Sequence, residues 1–167
     1  KLSAKTWNGA GANPWPHTSE TTVAANACEN CHSPHNAGNK SRLLNYAGEE
    51  QNCFPCHNGN VAAKNIQNEF NKIYVHPIAS TTGVHDLTED PVNPPRHVEC
   101  FDCHNPHGVN STVASPPTAP GTQTGVKGID INGSVVNPIS NLYELCFRCH
   151  ADSTARDIDS FPWCTRS

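Results

Sequence analysis

Cys28-Glu-Asn-Cys31-His32, Cys53-Phe-Pro-Cys56-His57, Cys100-Phe-Asp-Cys103-His104 and Cys146-Phe-Arg-Cys149-His150 are four copies of one five-residue pattern. Two thiols three positions apart can reach the two vinyl groups on one edge of a porphyrin. The histidine directly after them can turn beneath the ring and ligate its iron, so each copy reads as a site of covalent haem attachment. Eight of the nine cysteines are used in this way. Structural zinc is the competing reading, because paired CxxC segments also supply its tetrahedral ligands. Histidine accounts for 10 of 167 residues, so meeting one after all four pairs by chance has a likelihood on the order of 10⁻⁵. Zinc gives no reason for that fixed fifth residue, and a disulfide scaffold gives none either.

Four haems would leave about 42 residues for each, too few for a chain segment to bury a self-sufficient apolar core. The composition agrees: 35% hydrophobic residues, no Met, 14 Pro and 11 Gly, with a mean hydropathy of -0.57. The fold class implied is a multihaem c-type cytochrome, mostly irregular coil with a few short helices, one β-hairpin and a core formed by four haems. Without haem such a polypeptide is expected to be largely disordered. A formal charge of -4, made more negative by haem propionates, argues against nucleic acid as a partner. No apolar run reaches the roughly 18 to 20 residues of a membrane span, and Lys1 reads as a processed terminus. Thioether attachment takes place outside the cytoplasm, which points to the cell surface or extracellular space, with the periplasm as the alternative.

Residues 1–27 form an N-terminal arm with two Trp, Gly and Pro punctuation, and His17 behind Pro16. That histidine has three readings: a ligand to a neighbouring subunit, a ligand to the chain's own first haem, or a solvent-facing side chain. Residues 28–75 make a first dihaem unit with a following helix. Residues 76–150 make a second, with a long insert at 108–141, and 151–167 form a tail. His35 in His32-Ser-Pro-His35 and His107 in His104-Asn-Pro-His107 sit three residues beyond a proximal histidine, behind a stiffening proline. Each is directed away from its own ring, so His35 is assigned to the haem of Cys53 and Cys56 and His107 to that of Cys146 and Cys149. His76 before Pro77 and His97 three residues before Cys100 are the further distal candidates. His85 is less favoured because Asp86 beside it offers an ordinary hydrogen bond.

The apolar positions Ala62, Ile66, Phe70 and Ile73 have helical spacing and predict a helix over 61–74 packed on a haem. Within the insert, the run rich in Pro, Thr, Ser and Gly after Val109 cannot build a core of its own. Asn132-Gly133 between β-prone runs predicts a hairpin, either covering a haem edge or offering a strand to a neighbour. Residues 141–150 predict a short helix carrying the last haem. Asn110-Ser-Thr112 and Asn132-Gly-Ser134 match the glycosylation sequon only weakly, and Cys164 is an odd thiol in no motif.

Ten histidines, four of them proximal (His32, His57, His104 and His150), leave six for four distal positions. A haem with two imidazoles has no open position for a substrate, so it exchanges electrons. An enzyme such as a nitrite or hydroxylamine reductase would need a vacancy. The doubled motif and the stretch Arg96-His-Val-Glu-Cys-Phe-Asp-Cys-His-Asn-Pro-His-Gly108 resemble multihaem cytochromes of metal-reducing bacteria. With its four motifs, short chain and little regular structure, the sequence also resembles extracellular tetrahaem cytochromes of the OmcE type, which polymerise into nanowire filaments. That resemblance implies a head-to-tail homopolymer with His17 crossing the subunit boundary. It implies other multihaem cytochromes as electron donors, and metal oxides or other cells as acceptors. A monomeric periplasmic electron shuttle is the alternative.

Overall fold

The computed structural model describes residues 22–78, 86, 88–92 and 97–151. The chain divides into two units, Lys1–Val84 and His85–Ser167, and each carries two of the four motifs. Helices are short, as a chain so rich in Asn, Gly and Pro dictates.

The first unit begins with α1, Val23–Asn26, a single turn capped by the Thr22 hydroxyl, which accepts from the Ala25 N–H. It passes into a 3₁₀ turn, Ala27–Asn30, which holds the front of the first motif. The Asn30 amide donates to the carbonyls of Val23 (2.8 Å) and Ala27 (2.6 Å), stitching the two turns together. The chain then folds back on the motif. Ser33 N–H donates to the Leu43 carbonyl, Asn45 N–H to that of Cys31, and the Asn45 amide to that of Glu29.

The second motif lies on α2, Glu49–His57. Gln51 Oε1 accepts from the Gly48 N–H at 3.2 Å, and Glu49 and Glu50 place negative charge in the first turn, where the helix dipole favours it. Pro55 falls in the last turn, so the helix loses only the N–H that would have reached Gln51.

The helix expected over 61–74 is only one turn, α3, Ile66–Glu69. Asn65 interrupts the apolar stripe: its side chain accepts from the Asn68 N–H, so helix begins at 66 and not before. Asn68 in turn accepts from the Asn71 amide. Beyond Phe70 the stripe faces solvent, Ile73 being 91% and Tyr74 94% exposed. Within the stripe, the Phe70 ring lies 6.0 Å from that of Phe54 inside the second motif.

In the second unit α4, Cys100–Cys103, is one turn holding the third motif. Its N-terminus is closed by Asp102 Oδ2, which accepts from the Glu99 N–H at 2.8 Å. The insert is better ordered than its composition implies. Asn110 N–H donates to the Gly121 carbonyl and Gly121 N–H to that of Thr112, Ala119 N–H donates to Ser140, and Leu142 N–H to Pro117. Val126, Ile139 and Leu145 form an apolar cluster, with Cys103, Ala119 and Val136 packed around it. The expected hairpin is present: β1, Gly128–Ile129, pairs antiparallel with β2, Val135–Val136. Its turn is five residues long. Asp130 accepts from the N–H groups of Asn132 and Ser134, and Gly133 takes the left-handed φ of 82°.

The short helix expected over the last motif is α5, Leu142–His150. Glu144 fastens its start by accepting from the N–H groups of Ser140 (2.7 Å) and Asn141 (2.9 Å). Burial pushes the Glu144 carboxyl up, but these backbone bonds and the Asn141 amide outweigh it and hold it below the usual carboxylate value. The stabilisation is therefore present at neutral pH and lost as pH falls through the lowered folded value. Glu144→Gln should cost about 1 kcal/mol at pH 7 and flatten the acid limb of the stability curve, measured by thermal unfolding between pH 3 and 7.

β1 lies tight against α5. A Cβ built on Gly128 would meet Ile139 Cγ2 and would come within 2.7 Å of the Glu144 carbonyl oxygen. Gly128→Val should destabilise the haem-loaded protein by about 1–3 kcal/mol. A melting temperature equal to the parent's would contradict this packing.

Candidate haem-binding sites

Each motif occupies helical turn. His32 N–H donates to the Cys28 carbonyl at 3.0 Å, and His104 N–H to the Cys100 carbonyl at 3.0 Å. The second and fourth motifs occupy the ends of nine-residue helices, both closing on the motif histidine. The two units thus use one plan, a short turn for the first motif and a longer helix for the second.

The residues fit haem attachment. Cys28, Cys31, Cys53, Cys56, Cys100, Cys103, Cys146 and Cys149 are in no disulfide, as thioether attachment requires. His32 Nδ1 lies 3.0 Å from the Arg42 carbonyl and His104 Nδ1 lies 2.9 Å from that of Thr122. A carbonyl only accepts, so Nδ1 carries the proton and Nε2 holds the lone pair, the tautomer that iron ligation through Nε2 requires. Zinc is served less well. Among the described residues no three cysteine sulfurs approach one another as a tetrahedral site demands; the one group of three metal-ligating types is Glu89, His97 and Asp102.

The thiols also report which motifs are neighbours. Burial pushes Cys56 up to about 11, and Cys31 of the other first-unit motif adds to it. Burial and then the Asp102 carboxylate push Cys103 up to about 11, Arg148 opposing and Cys149 and Cys146 adding. Burial likewise raises Cys31 and Cys149. Within each unit the two attachment sites are close enough for their charges to interact.

The histidines are placed as follows. His57, His104 and His150 are exposed and His32 is half-buried. The distal candidates His35, His76 and His107 are exposed. His97 is half-buried, with its Nε2 3.2 Å from Glu89 Oε2 and 3.8 Å from Asp102 Oδ2. His17, His85 and Cys164 lie outside the described residues.

The model of outer membrane cytochrome MtrC/MtrF-like proteins, domains II/IV, matches residues 20–161. The chain belongs to this family. No curated protein and no solved structure gives a significant match. As an MtrC/MtrF-like domain the chain is an extracellular multihaem electron-transfer cytochrome, with haem c as its cofactor. Among the described residues no helix is long and apolar enough to cross a membrane.

One feature of the MtrC/MtrF-like domain escaped the reading of its motifs. Arg148 Nη1 donates to the Asp102 carbonyl at 2.6 Å and Nη2 to Asp102 Oδ1 at 3.1 Å, with Glu89 Oε1 3.6 Å from Nη2. Asp102 and Arg148 hold the same place in their motifs, just before the second cysteine, with opposite charge. That symmetry was the available signal. Burial raises the Glu89 carboxyl, with His97 and Arg148 opposing. Because the guanidinium reaches both carboxylates, the group reads as an ion-pair network and not as a cation site.

If thioether-linked haem and not zinc holds the motifs, prolonged treatment with a strong chelator should leave both the visible spectrum and the melting temperature unchanged. Loss of structure with release of zinc would reverse the assignment.

Proposed function

We propose that the chain carries four bis-histidine c-type haems and passes electrons to acceptors outside the cell as the repeating subunit of a head-to-tail cytochrome filament. The observation that carries the tetrahaem reading is the fourfold motif on helical turns, two motifs to a unit, with His32 and His104 held in the ligating tautomer by backbone carbonyls. Haem, when bound, supplies a one-electron couple. The chain's part is to present thiols for attachment, hold the proximal rings and complete the iron's coordination. Six-coordinate irons leave no site for substrate, so the domain is not an enzyme.

Under this reading the four distal ligands come from His35, His107, His76, His97 and His17, with His17 filling one of the four places from an adjacent subunit and three of the others filling the rest. His97, to serve, must turn from Glu89 and Asp102 toward iron. The donors are other multihaem cytochromes, and the acceptors are metal oxides or other cells. Polymerisation draws support from the likeness to OmcE-type cytochromes and from the exposed apolar run Ile73-Tyr74-Val75. Contacts that repeat without closing a ring build filaments. A second reading, an electron-transfer domain acting unpolymerised at the outer membrane, is favoured by the family match itself.

The intact mass of the purified protein should equal the chain plus four haems. Electron microscopy of material purified without denaturant should show thin filaments with a regular repeat. His17→Ala should abolish them and leave one high-spin haem per subunit. Discrete particles under several salt and pH conditions would favour the unpolymerised domain, and fewer than four haems would overturn the tetrahaem reading.

A further inference from the structure

Arg148 and Asp102 are the inner residues of two different attachment motifs, 46 positions apart. Their side chains are only 7% and 12% exposed. The guanidinium grips one residue twice, through its main-chain carbonyl and its carboxylate. A rigid fork on two acceptors fixes direction as well as distance, which an ammonium on a flexible stem does not. Asp102 also accepts from the Glu99 N–H at the start of α4, so the pair ties α4 directly to α5. The same positions in the first unit hold Asn30 and Pro55. Asn30 spends its amide locally on Val23 and Ala27, and proline has no side-chain donor.

We propose that the Arg148–Asp102 pair is a clamp that sets the relative orientation of the third and fourth attachment segments, and with them of the two haems of the second unit. Arg148 is thus a positioning residue for electron exchange within that haem pair. The inference rests on the tetrahaem reading and goes beyond it. Glu89 adds to the clamp from outside the motifs, its Oε1 lying 3.6 Å from the same Nη2 that meets Asp102 Oδ1. Burying these charges is expensive, and packing alone would not need them, since Val126, Ile139 and Leu145 already join the insert to α5.

The test is circular dichroism in the Soret band of the haem-loaded protein, where neighbouring haems give a two-signed couplet that depends on their mutual orientation. Arg148→Gln should lose most of the second unit's contribution to that couplet while mass spectrometry still finds four haems. Arg148→Lys keeps the charge without the fork and should recover stability but only part of the signal. Asp102→Asn with Arg148→Gln removes both charges, so it should melt at a higher temperature than Arg148→Gln alone and still lack the couplet. Ile139→Ala is the control: it should lower the melting temperature and leave the couplet intact. A couplet equal to the parent's in Arg148→Lys and in the double variant, with four haems attached, overturns the clamp. A parent carrying fewer than four haems overturns the tetrahaem reading instead. Should Arg148→Gln fail to accumulate, the other two variants decide the matter.

Discussion

The hydrogen bond from a motif histidine's N–H to the carbonyl of the first cysteine, seen at His32 and at His104, curls five residues into a turn. It brings two thiols to one side and places an imidazole just beyond them. Nothing longer than a turn is required, which is why the 3₁₀ turn at the first motif and α4 at the third can each stop after four residues. A chain of this hydropathy could not hold long helices by packing, because it lacks the apolar faces to bury. Local geometry does the work that a hydrophobic core does elsewhere, and the covalent bonds to haem would make that geometry permanent.

Around these turns the backbone is satisfied largely by asparagine. Asn30, Asn45 and Asn52 each give an amide to main-chain carbonyls beside a motif, Asn52 at 2.7 Å to Gly48 and 3.1 Å to Tyr46. These bonds take the place of secondary structure in a protein that is mostly coil, since buried backbone groups need partners whatever the fold. The amides are neutral, so their burial carries no Born penalty. The high asparagine content is thus a structural material.

Much of this was legible beforehand, and the rest was hidden for definite reasons. The motifs announce themselves because their chemistry demands fixed spacing. Asn132-Gly133 revealed the hairpin because a left-handed turn residue is a local requirement, and the short helix read over residues 141–150 is present as Leu142–His150. The stripe over 61–74 misled because periodicity counts apolar positions and ignores what lies between them: Asn65 captured the Asn68 N–H and confined helix to Ile66–Glu69. The order within the insert was invisible, because its ties, such as Ala119 to Ser140 and Leu142 to Pro117, are main-chain bonds with no residue signature. The Arg148–Asp102 contact spans 46 positions and leaves no periodic trace.

The two units answer one requirement with different chemistry, and the difference bears on function. In the first, Asn30, Asn45 and Asn52 brace the motifs with neutral amides, Asn45 reaching sixteen residues along the chain to Glu29. The second uses a guanidinium and carboxylates drawn from positions 89, 102 and 148. Buried ions are rarely the cheapest route to stability, since apolar residues of similar volume often serve as well or better. What the ions add is direction: a fork that grips one carbonyl and one carboxylate of the same residue admits a single arrangement of its two segments. Electron exchange between neighbouring haems depends on their separation and mutual orientation. Under the tetrahaem reading proposed above, the fork between positions 102 and 148 therefore bears on exchange within the second unit's haem pair, because it joins the two segments to which those haems would be attached.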